Sequence, residues 1–276
     1  MRKPKNLDII NRSFTVQAPN FESKSVNFSK AEFLKKVRDL ASPKPKDVLL
    51  EVAAGTGACG RYFAPLVQRV VCLDATDAML QIGKQEAANE QLTNMVFVKG
   101  YAEELPFPDA SFTIVLSRLA FHHFTDPAAI FSEMVRVLKP GGKLIMIDME
   151  AAAEPLRNIQ GEIETLRDPS HVRMLSKTEM LNFFLKQDLM IEVNDTTNIK
   201  QKLDNWMALT QTPKHIQRVI RERMQTELHG HAKTGFFPFV EKDDICFYQK
   251  WVTLIGIKKA EECKESVDKE SDRCGK

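Results

Sequence analysis

The sequence predicts an α/β protein built on a doubly wound, mostly parallel sheet with helical additions, and three features predict it. Short apolar runs alternate with helical segments from residue 31 to residue 150. The links between them are brief and rich in proline or glycine. A glycine turn, Gly55-Thr56-Gly57-Ala58-Cys59-Gly60, joins the first run to the helix after it. Strands and helices that alternate through short links run parallel, because each helix carries the chain back across the sheet.

The elements follow in order. Residues 1–30 show no clean period, whereas 31–40 place Phe33, Leu34, Val37 and Leu40 on one helical face. Ser42-Pro43-Lys44-Pro45 then forbids continuation. Residues 47–52 are an apolar run of the kind that becomes a buried parallel strand. Beyond the glycine turn come a helix over about 58–67, a strand over 69–73 ending at Asp74, and a helix over 77–89. Strands over 95–99 and 112–117, a helix over 127–138, a stop at Lys139-Pro140-Gly141-Gly142 and a strand over 143–148 complete the core. Asp77 is placed to cap the helix at 77–89, and Thr125 or Asp126, just before Pro127, to cap the one at 127–138.

After residue 150 the rhythm turns helical, with stretches at about 154–167, 177–186, 201–209 and 213–228, interrupted by a strand near 189–194. Residues 230–238 read as a loop and 245–257 as late strands that pair at the edge of the same sheet. The expected division is therefore an N-terminal segment contributing to a lid (1–30), a cofactor-binding core (31–150), and a substrate-covering helical region with an edge strand (151–245). A final sheet strand (246–258) and a polar tail expected to be disordered (259–276) complete it.

Composition narrows the partners. In 276 residues, 43% are hydrophobic and 28% charged, an ordinary globular balance. Lysine and arginine (39) nearly equal aspartate and glutamate (37), so no strong field draws the chain to nucleic acid or an anionic membrane. The basic start lacks the apolar run of a secretory signal, and no window approaches a membrane span. Five cysteines form no CxxC pair, which suits reduced thiols. The expectation is a cytoplasmic monomer or homodimer acting on a small molecule.

The glycine turn matches G-x-G-x-x-G, and Asp74 lies 19 residues beyond Gly55. Taken alone, that pattern fits a nicotinamide-dependent oxidoreductase as well as any other enzyme whose backbone must approach a nucleoside. Glu51 discriminates by charge. It stands at the end of the first strand, where a carboxylate repels a pyrophosphate but suits a ligand bearing an ammonium and a sulfonium.

Several motifs in fixed order carry a resemblance: Glu51-Val52-Ala53-Ala54-Gly55-Thr56-Gly57, Asp74, Ala102-Glu103-Glu104-Leu105-Pro106-Phe107, Phe121-His122-His123-Phe124 and Val137-Leu138-Lys139-Pro140-Gly141-Gly142. Over about residues 31–150 the chain resembles class I S-adenosylmethionine-dependent methyltransferases, in the branch that includes ubiquinone and menaquinone biosynthesis enzymes and uncharacterised bacterial members. The resemblance implies a Rossmann-like sheet of seven strands and S-adenosyl-L-methionine as cofactor. It also implies that Glu51 is the acidic residue ending the first strand and that the backbone of Ala53, Gly55 and Gly57 follows the methionine portion. Asp74 would hold the ribose hydroxyls, with Ala75 and Met79 against the adenine. Ala102 and Glu103 would reach the adenine edge, beside a Tyr101 that departs from the usual aspartate, and Ser117, Arg118 and Leu119 would face the methionine side.

Methyl transfer from a sulfonium is an in-line displacement that needs positioning more than a protein nucleophile. An acceptor that must also lose a proton needs a base, for which His122, His123 and His171 are candidates, although His122 and His123 are equally readable as core histidines and His171 as part of a loop salt bridge. Arg173 is a candidate for an anionic substrate group, with a loop salt bridge as the alternative. Phe236, in the aromatic run Thr234–Phe239, is a candidate for the substrate cavity or for core packing. His229 and His231 lack a third ligand nearby in sequence, so no metal is expected. A non-catalytic protein that only binds the cofactor remains a further alternative at this point.

Overall fold

The computed structural model of the chain describes residues 2–22 and 31–260. Five strands form the parallel part of one sheet: β1 (Val48–Val52), β2 (Arg69–Asp74), β3 (Met95–Lys99), β4 (Phe112–Arg118) and β5 (Leu138–Met149). β1 is central, with β2 then β3 on one side and β4 then β5 on the other. The chain thus reverses direction across the sheet between β3 and β4. That reversal leaves a crevice beyond the carboxyl ends of β1 and β4, where open α/β sheets bind ligands.

Alternation along the strands divides the core into two layers. Leu49, Cys72, Ile114, Leu116, Ile145 and Ile147 join one cluster, and Leu50, Val71, Val115, Leu144 and Met146 join the other. Helices α2 (Ala31–Ala41) and α3 (Ala58–Phe63) contribute to the first cluster, and α5 (Pro127–Val137) to the second. Helix α4 (Asp77–Asn89) packs beside β2 and β3.

The remaining strands extend the sheet antiparallel. β8 (Asp244–Lys258) pairs with β5 and carries β6 (Leu189–Lys202) at the far edge, while β7 (Phe239–Glu241) forms a hairpin on β8. Seven strands lie on the main path. Helix α7 (Lys177–Lys186) starts in a Ser176/Glu179 capping box and seats Phe184 over Gly256. Helices α6 (Arg157–Arg167), α8 (Leu203–Leu209) and α9 (Lys214–Leu228) share a third apolar cluster around Ile163, Trp206, Met207 and Met224.

Four expectations are corrected. Residues 7–21 form helix α1 (Leu7–Phe21), although 1–30 carries no clean period. β5 begins at Leu138, so Lys139–Gly142 is not a stop but the entry of the strand. β6 runs to Lys202, pairing in register down to Cys246, where a helix from 201 was expected. Asp77 does not cap α4: Thr76 occupies the cap position, its N–H is taken by Asp74, and Asp77 pairs with Lys99 instead. Asp126 does cap α5, accepting from the Ala129 N–H. Cys59, Cys72 and Cys246 are buried free thiols. Cys263, Cys274 and the tail from 261 lie outside the described residues, as do residues 23–30 of the N-terminal segment. Among the described residues no helix is long and apolar enough to cross a membrane.

Candidate active site

A cavity of about 1300 Å³, its mouth included, opens at the carboxyl ends of β1, β4 and β5 and is lined on one side by α1. Glu51 lines it from the end of β1 and is almost fully buried. Its Oε2 accepts from the Gly60 N–H at 2.7 Å, which satisfies one of the open donors of α3. Only a glycine fits there, because a Cβ on residue 60 would stand 2.7 Å from that oxygen. Burial pushes the Glu51 carboxyl up to about 7, against the opposing pull of Arg118 and Arg61.

In the turn after β1, Gly55 and Gly57 have φ values of +56° and +69°, and Ala53 takes +52° without being glycine. A Cβ on Gly55 would meet nothing within 4 Å, so its free side faces open cavity, whereas one on Gly57 would lie 2.9 Å from Cys72 Sγ. Gly55 therefore leaves room for a ligand and Gly57 lets the turn lie against the sheet. Asp74, at the end of β2, accepts from the N–H groups of Gly55 (2.7 Å) and Thr76 (2.8 Å). Burial raises its pKa in spite of these bonds. Leu119, after β4, is a second strained non-glycine residue on the cavity wall, with φ +52°.

On the opposite side a short 3-10 turn, Phe121–His123, places two imidazoles on the cavity, which a strand could not do for adjacent residues. His122 Nδ1 lies 2.6 Å from Asp148 Oδ1, and Asp148 also accepts from the Phe121 N–H at 2.7 Å and the Met149 N–H at 2.7 Å. The carboxylate can only accept, so Nδ1 of His122 carries the proton and Nε2 is the basic nitrogen. Burial favours the neutral ring, but the charge and hydrogen bond of Asp148 prevail and raise its pKa. His123 donates from Nδ1 to the Ser170 carbonyl at 3.0 Å; burial, with His122 beside it, brings its pKa down to about 4. The rings of His122 and His171 lie 5.7 Å apart. His171 is held down to about 2, chiefly by burial, and its Nε2 is buried without a partner. Backbone N–H groups of Val172 and Arg173 donate to the His122 carbonyl, locking the turn.

Of the residues singled out from sequence, Glu51, Ala53, Gly55, Asp74, Ala75, Met79, Ala102, Glu103, Arg118, Leu119, His122 and His123 all line this one cavity. Gly57, Ser117 and His171 stand behind it, His171 with its ring 5.7 Å from that of His122. Two placements are corrected. Arg173 is surface-exposed and ion-paired with Glu179 at 2.6 Å, away from the cavity. Phe236 is buried in the third apolar cluster between Trp206 and Phe247.

Other groups on or behind the wall went unnoticed in the sequence. Asp148, which stands behind His122 rather than on the wall, could have been found by the argument applied to Glu51, since both are acids near the end of a parallel strand. Phe14 and Gln17 arrive on α1, Arg167 and Asp168 at the end of α6, and Gln249 and Trp251 on β8. No local pattern marks these. Among the described residues no three His, Cys, Asp or Glu side chains are grouped to hold a metal ion.

Residues 50–146 match the family described as "Methyltransferase domain". The chain is 32% identical over 249 residues to the uncharacterised methyltransferase YcgJ of Bacillus subtilis, covering 89% of this chain and 98% of that protein. The crystal structure of that YcgJ protein superposes with a TM-score of 0.75 at 30% identity, over 83% of this chain and 99% of that one. A likeness to the ubiquinone/menaquinone biosynthesis C-methyltransferase UbiE of Ectopseudomonas mendocina, 34% identical, spans only 43% of this chain and 48% of that enzyme.

Proposed function

Because the chain belongs to the class I S-adenosylmethionine-dependent methyltransferases, we propose that it methylates a small-molecule acceptor with the His122–Asp148 pair as the base that removes the acceptor's proton. The observation that carries this reading is one cavity with two differently equipped ends. At the first, Glu51, Gly55, Asp74 and Arg118 fit the cofactor: an acid for its cationic part, an open glycine edge, and a buried carboxylate for ribose hydroxyls. Bound there, the cofactor supplies a methyl group already activated by its sulfonium.

At the second end, this chain's residues prepare the acceptor. Asp148 fixes the His122 tautomer and stabilises the imidazolium that forms when Nε2 takes a proton. His123 has no such carboxylate and a pKa lowered to about 4, so it is the weaker base and serves as a neutral wall. Helix α1 lines the cavity with Ile10, Phe14, Gln17 and Phe21, which would shield the reacting groups from water.

The test incubates the protein with methyl-labelled cofactor and a small-molecule extract, then repeats the reaction with His122→Ala and Asp148→Asn. Label should enter a small molecule, and His122→Ala should lower kcat by about 10²–10⁴-fold while leaving S-adenosylhomocysteine binding intact. The wild-type rate should fall as pH drops through a histidine pKa above the ordinary value, because the protonated ring cannot act as base. Unimpaired turnover in His122→Ala would remove the histidine from this role, and label appearing only in macromolecules would remove the small-molecule acceptor.

A further inference from the structure

Helix α6 ends at Arg167, which lines the acceptor side of the cavity and is only 7% exposed. Among the described residues its guanidinium makes no hydrogen bond. Nε is sealed from solvent without an acceptor, the paired oxygen of Glu164 stands 3.7 Å away, and the Trp206 ring covers the guanidinium at 4.4 Å. A guanidinium stripped of water normally spends its planar fork of N–H groups on carboxylates or carbonyls. Here Nε is desolvated without an acceptor, the guanidinium is stacked, and none of its N–H groups is spent on a hydrogen bond among the described residues.

The groups around it already have partners or carry no free charge to offer, apart from Glu164, whose paired oxygen stands 3.7 Å away. Asp168 accepts from Gln17 Nε2 (2.9 Å), the Ser170 N–H (2.9 Å) and Ser170 Oγ (2.6 Å). Burial raises the pKa of the Glu164 carboxyl, against the pull of Arg167 and His122. His123 and His171 are held neutral, and His122 is engaged by Asp148. The other cavity arginine, Arg118, stands at the end of β4 within the field of Glu51, on the cofactor side. Phe14, Leu209 and Trp251 supply apolar walls.

Resting on the methyl-transfer reading above, we propose that the acceptor is a small carboxylic acid with an apolar, ring-sized body, its carboxylate received by Arg167 and its reacting proton turned to His122. The fork geometry matches a carboxylate in two parallel bonds. Glu164 and Asp168 flank the site, so a monoanion fits better than a doubly charged phosphate. The anion contact expected at Arg173 thus belongs to the arginine six positions earlier, the one that folding buries.

The test titrates the full-length protein, saturated with S-adenosylhomocysteine, with three probes by calorimetry: 4-hydroxybenzoate, the neutral 4-hydroxybenzamide and the cationic 4-hydroxybenzylamine. The acid should bind about tenfold or more tighter than the amide, as charge-assisted bonds require. Arg167→Lys should lower that ratio by losing the two parallel bonds, and the double variant Arg167→Met with Glu164→Gln, which removes the buried ion pair as a unit, should bring it near one, both with S-adenosylhomocysteine affinity unchanged. An amide or amine that matches or exceeds the acid on the wild type, weak binding of all three included, overturns the proposal. So does an acid preference that survives in both variants. Loss of S-adenosylhomocysteine binding in the wild type would instead overturn the reading beneath it, and the two failures are distinct.

Discussion

A carboxyl pushed up to about 7 by burial is half protonated near neutrality, so ionised Glu51 weakens the empty protein. The sign follows from linkage. The folded empty state holds a proton that the unfolded chain releases near 4.5, so stability falls as pH rises from about 4.5 to about 7. Glu51→Gln, which keeps an acceptor for the Gly60 N–H, should therefore stabilise the empty protein above pH 7 by on the order of 2 kcal/mol, read as a higher Tm. The same variant should lose cofactor affinity. In the wild type, affinity for S-adenosylmethionine should weaken as pH drops through 7, because binding the cation then expels a proton. A Glu51→Gln protein no more stable than the wild type at pH 8 would contradict this account of the residue.

The two glycines of the turn separate binding from folding. Gly57→Ala puts a methyl 2.9 Å from Cys72 Sγ and 3.1 Å from Phe97, at positive φ, and should destabilise the protein by about 1–3 kcal/mol. Gly55→Ala meets no neighbour within 4 Å, so it should cost only the backbone strain of about 1–2 kcal/mol while it obstructs the cofactor. Denaturant melts and S-adenosylhomocysteine titrations of both variants check the contrast; equal losses of affinity would refute it. Helix α1 stands at the other extreme of readability. Its sequence, LDIINRSFTVQAPNF, mixes weak helix formers with a proline near the end, and what holds it is tertiary. Gln17 reaches Asp168, Asn20 reaches the carbonyls of Ala208 and Leu209, and Gln211 reaches the Val16 carbonyl. The same cause extends β6: its polar second half pairs because the long β8 lies beside it, not because its own residues ask for a strand.

Across the whole molecule, legibility divides by sequence distance. The order of strands and helices from 31 to 150, and the cofactor end of the cavity, follow from local signals: apolar runs, glycine turns, and acids at strand ends. The end proposed for the acceptor is assembled from α1, the end of α6 and β8, three elements far apart in the chain. The Met149↔Trp251 register alone brings the Trp251 ring to the carboxyl end of β5. Hence Arg167 escaped notice while Arg173, close by in sequence, drew it. Charge at Glu51 separates the methyl-donor reading from the nicotinamide one that the glycine pattern also fits, and the family relationship agrees. The measurement that bears most directly on this central claim is calorimetric titration of S-adenosylhomocysteine and NADH into the wild type and Asp74→Ala. The account predicts that S-adenosylhomocysteine binds the wild type, that NADH does not, and that Asp74→Ala weakens binding by roughly tenfold or more through lost charge-assisted bonds. Unchanged affinity in Asp74→Ala, or NADH binding in place of S-adenosylhomocysteine, would contradict it.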